Sequence, residues 1–229
     1  MLVTPVACIE AADLANAVTA FATIFSGLIA LALCALVAPQ PRRWLWVYAG
    51  VVITGIPTVW YHGFGEMAIA GLADSGTNLL LAWLLQVAVL GDYYSRRTRV
   101  WVASASGLIN LAAVLWRAAV SLETARTPVI SFGAFGGFHL TEVVLILDVL
   151  LAVALFYIRR SRIPARARPL LTLVTAIFLV GMLLATASNR RVDFQIMAWH
   201  ALWHVVGAFG FIALWAFNHV RFTSVPSNT

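Results

Sequence analysis

Two histidines four residues apart, His200 and His204, stand at the start of an otherwise apolar run, WHALWHVVGAFGFIALW (199–215). At that spacing two imidazoles share one face of a helix, the arrangement with which metalloprotease helices bind a single zinc ion. A third histidine, His62, closes the segment PTVWYHG (57–63), with Thr58 one helical turn before it. Asp74 follows within LADSGTN (72–78). Three imidazoles suit a catalytic zinc, which keeps its fourth position open for water. A carboxylate beside that water is a natural general base, and the Thr58 hydroxyl could hydrogen-bond a bound oxygen. Each residue also has a plainer role. Thr58 could bond the carbonyl of residue i−4, as hydroxyl residues do in apolar helices. The histidine pair alone fits an interhelical hydrogen bond or a haem ligand equally well.

The elements that must position these residues are set by composition. The 229-residue chain is 62% hydrophobic and 10% charged, with a mean hydropathy of +0.92. Soluble domains carry about 25% charged residues, so this chain is read as an integral membrane protein. Apolar runs of spanning length lie near 14–38, 44–63, 72–91, 99–119, 139–158, 169–188 and 196–218. The expected fold is therefore all-α, a seven-transmembrane-helix bundle forming a single domain over 1–229. A short segment (1–13) precedes it and a tail (219–229) follows.

All 15 basic residues are arginine. With no lysine, a retinal Schiff base and a lysine nucleophile are both excluded. The net charge of +6 does not imply nucleic acid, because the arginines cluster between the apolar runs in the usual topogenic pattern. Eleven of them fall in the first, third and fifth loops and the C-terminal tail, and four on the other side. Arg117, one of the four, could instead lie inside the fourth span. The positive-inside rule then puts the N-terminus outside and the C-terminus in the cytoplasm. The lysine-free, Ala/Leu/Val/Arg-rich composition reads as that of a GC-rich bacterium, hence an inner-membrane protein with its site on the extracytoplasmic side. If both lie along the first helix, Cys8 and Cys34 are roughly 39 Å apart and cannot form a disulfide. PVAC (5–8) lacks the basic and apolar regions of a signal peptide.

This topology brings His62, Asp74, His200 and His204 from three distant segments to one membrane level. Ionisable groups inside a membrane are expensive unless paired or coordinated, and their convergence favours a metal. Other polar residues have simpler readings. His139 and Glu142 are read as an interfacial pair, and Asp148 as facing the bundle interior. Asn78 and Asn110 are read as interhelical hydrogen bonders. Asp92 and Asp193 fall at loop edges with no special role. Trp44, Trp46, Tyr93, Tyr94, Trp101 and Trp199 fit an interfacial aromatic belt.

The set Thr58, His62, Asp74, His200 and His204 resembles the signature of the CREST superfamily of seven-helix membrane hydrolases and receptors. Within it the chain is most similar to the alkaline ceramidases, whose HAxWH is matched by HALWH (200–204) and whose N-terminal CE…E-x-x-N is echoed in CIEAADLANAVT (8–19) by Cys8, Glu10, Asp13 and Asn16. The resemblance implies zinc on His62, His200 and His204, with Asp74 as the family's aspartate and Thr58 in place of its usual serine. It also implies a second cation, calcium, at the acidic N-terminal stretch. Here Glu10 and Asp13 supply few of the 6–8 oxygens calcium takes, so carbonyls or waters would have to complete the shell.

The activity so implied is hydrolysis of a ceramide-like N-acyl lipid to a fatty acid and a sphingoid base, with Asp74 and Thr58 as catalytic groups. Two other classes use the same residues. One is a progestin/adiponectin-receptor-like sensor with a structural zinc, and the other a b-type cytochrome with His62 facing His200 or His204 across haem. The expected orientation is testable by cysteine labelling in a background lacking Cys8 and Cys34. Gly65→Cys should react with an impermeant reagent applied outside, and Pro164→Cys should not. The reverse pattern would invert the topology.

Overall fold

The computed structural model describes residues 11–64, 68–124, 129–131, 137–188 and 199–223. Seven long helices account for nearly all of them: α1 (Ala11–Leu36), α2 (Arg42–Gly63), α3 (Ala68–Tyr93), α4 (Arg96–Thr124), α5 (Leu140–Ile158), α6 (Arg168–Ser188) and α7 (Trp199–Thr223). Each is long and apolar enough to cross a membrane. In hydrocarbon every backbone N–H and C=O must be satisfied within the segment, and a continuous helix does this. The helices fall where the apolar runs place them, mostly a few residues longer, because the flanking polar residues continue the same hydrogen-bond ladder. The fourth span, expected over 99–119, is Arg96–Thr124. A short antiparallel hairpin, β1 (Val129–Ser131) with β2 (Gly137–His139), lies in the stretch read as loop. Two 3-10 turns, Arg160–Arg162 and Ala165–Ala167, join α5 to α6.

The helix order is built by neighbour packing. α1 packs on α2 and α7, α2 on α3, and α3 on α4 and α5, while α6 packs on α7. The close approach of α1 and α2 depends on glycine. A Cβ on Gly27 would sit 2.9 Å from the Tyr48 carbonyl oxygen, and one on Gly55 would sit 3.1 Å from the Ile24 nitrogen. Small residues at such crossings let membrane helices touch backbone to backbone. Pro57, inside α2, removes one ladder bond. One residue later the Thr58 hydroxyl bonds the Thr54 carbonyl at 2.8 Å.

The arginine-rich end holds a buried ionic knot that the sequence reading missed. Asp92 was expected to need no special role, yet its side chain is only 4% exposed. Its carboxylate pairs with Arg221 of α7 at 2.6 Å and also with Arg43 of α2. Trp44 Nε1 donates to the same carboxylate at 3.0 Å. Arg221 donates further to Asn218 Oδ1 (2.8 Å) and the Tyr93 hydroxyl (2.7 Å). Its guanidinium lies 4.9 Å above the Trp44 ring. Trp44 is accordingly fully buried in the core, not in the interfacial belt, whereas Trp46 and Trp101 are exposed as expected. Cys34 is a buried free thiol, and Cys8 and Asp193 lie outside the described residues.

Removing one partner of a buried pair strands the other charge, which typically costs about 3–5 kcal/mol. Asp92→Ala should therefore lower the thermal midpoint of the purified protein sharply. Arg43→Gln should cost less than about 1 kcal/mol, because that side chain is 38% exposed. Equal losses for the two variants would show that the knot is not the anchor described.

Candidate metal centre

His62, His200 and His204 meet at the opposite end of the bundle. One ligand nitrogen from each falls within 4.8 Å of the others, an arrangement that can hold a metal ion. His62 Nε2 and His200 Nε2 are 3.2 Å apart. Two nitrogens bound tetrahedrally to one zinc at 2.0–2.1 Å would be separated by about 3.3 Å, so this spacing fits. The ring centroids are 4.7–5.5 Å apart. Two imidazoles on opposite faces of a haem iron would stand farther apart than this. The separations favour a single metal ion over a haem held between two of the rings.

The donor chemistry of His204 fits a metal as well. Its Nδ1 lies 3.1 Å from the Asn16 carbonyl oxygen and 3.2 Å from Thr19 Oγ1. The Thr19 hydroxyl already donates to the Ala15 carbonyl at 2.7 Å, so it accepts from His204, as the Asn16 carbonyl does. The proton is thus held on Nδ1, and the Nε2 lone pair is left free toward the cluster. Metal-binding histidines are commonly oriented by this kind of outer partner. Both partners lie on α1, where the sequence reading had singled out Asn16 only by resemblance and Thr19 not at all. The signal was faint because the effective group at Asn16 is a backbone carbonyl.

Asp74 and Thr58 form a second unit. Thr58 Oγ1 is 2.5 Å from Asp74 Oδ1 and 2.8 Å from the Thr54 carbonyl; the second contact is the i−4 bond anticipated from sequence, and the first was not anticipated. A hydroxyl has a single proton, and an ionised carboxylate is the stronger acceptor at this length. Thr58 therefore orients Asp74. Asn78 also bonds within α3, to the Asp74 carbonyl at 3.0 Å, and so is not the interhelical tie expected of it.

Around this unit Arg117 proves to be inside α4 and buried, donating to Ser75 of α3 and at 2.9 Å to Thr141 of α5. Glu142 is paired with His139 at the start of α5. It closes a capping box at the start of α5, its Oε2 accepting from the His139 backbone N–H at 2.9 Å. Glu10 lies outside the described residues and Asp13 has no described side chain, so the calcium expectation is not tested.

A cavity of about 220 Å³ reaches His200, His204, Asp74 and Thr58, with His62 outside its lining. Thr54, Thr58, Asp74, Glu142, His200 and His204 line its polar end, and Leu81, Ile146, Val153, Phe156 and Phe178 are among its apolar wall. From Glu142 to Phe156 the lining follows α5 for about 21 Å. The cavity is enclosed chiefly by α3, α5, α6 and α7, and α5 and α6 do not pack on each other as the neighbouring helices do. A scan against protein-family models finds no match to this chain, and a comparison with curated proteins finds none either. What stands is a seven-span membrane protein with a three-histidine cluster that can hold a metal.

Purified protein should bind about one zinc per chain, as a single site built from three histidines implies. His204→Ala should lose most of it. Thr19→Val should weaken binding by up to about tenfold, the lower end of what outer partners contribute, since the Asn16 carbonyl remains. Full zinc retention in a folded His204→Ala variant would remove these histidines as ligands.

Proposed function

We propose that the protein is a zinc-dependent amidohydrolase of the bilayer, cleaving the N-acyl bond of ceramide-like lipids to a fatty acid and a sphingoid base. The observation that carries the proposal is the shared cavity. Two histidines of the cluster, His200 and His204, a carboxylate–hydroxyl pair and a long apolar channel open into one space, with His62 beside the two histidines. This is the combination a water-dependent reaction on a lipid requires, with polar groups gathered at one end and room for an acyl chain beyond them.

His62, His200 and His204 would hold the zinc, which when bound supplies Lewis-acid polarisation of a carbonyl and acidification of water. Asp74 is the general base. It takes a proton from the attacking water as that oxygen bonds to the acyl carbon. It then delivers the proton to the nitrogen as the C–N bond breaks, leaving a carboxylic acid and an amine. Thr58 holds the carboxylate in place through the 2.5 Å contact and can turn its hydroxyl toward the oxyanion. Hydrogen-bond donation at that point is often worth roughly 3–4 kcal/mol. The apolar wall excludes water from everything but the reacting end. With the arginine-rich end in the cytoplasm, the reaction would occur at the outer face.

A sensor with a structural zinc would use the same histidines but has no need of Asp74 as a base. Asp74→Asn keeps the shape and hydrogen bonding of the side chain and removes only proton acceptance. Fatty-acid release from ceramides in detergent should fall by roughly 10²–10⁴, with zinc content and thermal stability little changed. Thr58→Ser should remain active, Thr58→Val should be impaired less than Asp74→Asn, and a chelator should abolish turnover. Zinc-loaded wild type that binds N-acyl lipids yet releases no fatty acid would establish the sensor.

A further inference from the structure

Away from the metal centre, a second polar cluster is buried between α3, α4 and α5 near the middle of the spans. Asp148 is 6% exposed, Asn110 6%, and Gln86 fully buried, with Ser106 beside them. Asp148 Oδ1 lies 2.7 Å from Gln86 Nε2 and 3.3 Å from Ser106 Oγ, and Oδ2 lies 2.6 Å from Asn110 Nδ2. None of the four lines the metal-site cavity. The proposed hydrolysis does not use them.

The directions of these bonds identify the charge state they are built for. Asn110 Nδ2 sits between two acceptors, Asp148 Oδ2 and, at 3.2 Å, the Leu79 carbonyl, which fixes the amide orientation. Gln86 Nε2 is fixed likewise, between Asp148 Oδ1 and the Asp148 carbonyl at 3.1 Å. Ser106 donates to Gln86 Oε1 at 2.5 Å. The amides thus present N–H groups to both carboxylate oxygens. Among the described hydrogen-bond partners of Asp148, only Ser106 Oγ, at 3.3 Å, could accept a carboxylic proton. The pocket is organised around an anion.

Neutral donors alone do not offset a carboxylate in hydrocarbon. Arg117, about 10 Å farther along α4, is engaged with Ser75 and Thr141. Asn110 Oδ1 adds a buried oxygen with no hydrogen-bond partner among the described residues, on the same amide that touches Asp148. Hard cations take such carboxylate, amide and hydroxyl oxygens. A single carboxylate balances a single positive charge, and a divalent ion would leave an excess.

We propose that Asp148, Asn110, Gln86 and Ser106 form a binding site for a dehydrated monovalent metal cation of about the size of sodium, tying α3, α4 and α5 together at mid-membrane. The cation would replace or share the Ser106–Gln86 contact and recruit Asn110 Oδ1. The ligands come from three helices, so occupancy stabilises their packing.

The test is thermal unfolding of the purified protein in detergent at neutral pH, with sodium chloride replaced stepwise by choline chloride at constant ionic strength. The midpoint should rise saturably with sodium, by about 2–4 °C or more. Asp148→Asn, nearly isosteric and uncharged, should fold and lose the sodium response. Ser106→Ala keeps the carboxylate and removes one oxygen, so it should need several-fold more sodium for half the effect; it is the second variant if Asp148→Asn does not fold. Equal midpoints in sodium and choline would overturn the proposal. So would a sodium response that survives in folded Asp148→Asn, or stabilisation of the wild type by acid but not by sodium, which would make the ligand a proton.

Discussion

A buried carboxylate at the arginine-rich end sets the relation of three helices on which the rest depends. Asp92 of α3 engages Arg43 and Trp44 of α2 and Arg221 of α7, and Arg221 in turn lies against Tyr93 and Asn218. These are the same three helices that carry His62, Asp74, His200 and His204. Measured along each helix from the knot, His62 lies about 28 Å away, Asp74 about 27 Å and His204 about 26 Å. Rods of nearly equal length clamped at one end bring their chemical groups to one level at the other. A rigid helix turns one ion pair into a positional constraint on a site a membrane's thickness away.

At the far end the constraint changes character. Histidines are held by neutral partners, His204 by an α1 carbonyl and hydroxyl, and Asp74 by the Thr58 hydroxyl. α1 reaches these partners because Gly27 and Gly55 let it lie close along α2. The cavity is then left among α3, α5, α6 and α7, where α5 and α6 pack chiefly on other neighbours. Polar groups that would be costly in lipid are therefore grouped where they can satisfy one another or a cation. The long remainder of the lining is apolar, as an acyl chain would need.

Much of this was legible from residue order because hydrocarbon is an unforgiving solvent. Runs of about 20 apolar residues can only be helices there, so the seven spans followed from composition and segment length. Alternation of helix direction then carried His62, Asp74, His200 and His204 to one end. The i, i+4 spacing was enough to put His200 and His204 on one face. Asn110 was read as a helix-to-helix hydrogen bonder, and it reaches both Asp148 and the Leu79 carbonyl.

The sequence by itself determined which segments cross the membrane and at which end the histidines gather, since both depend on local hydropathy and chain direction. Tertiary structure alone decided the partners. Asp92 looked like a loop-edge residue and Trp44 like part of an interfacial belt, because depth along a span does not reveal which face of the helix meets a neighbour. Arg117 could be placed in a loop or a helix until Ser75 and Thr141 were found opposite it. Thr19 carried no signal at all, since its role depends on α1 lying against α7. Pairwise facing is set by packing at glycine crossings and by the Asp92 knot, and neither is a property of any one segment.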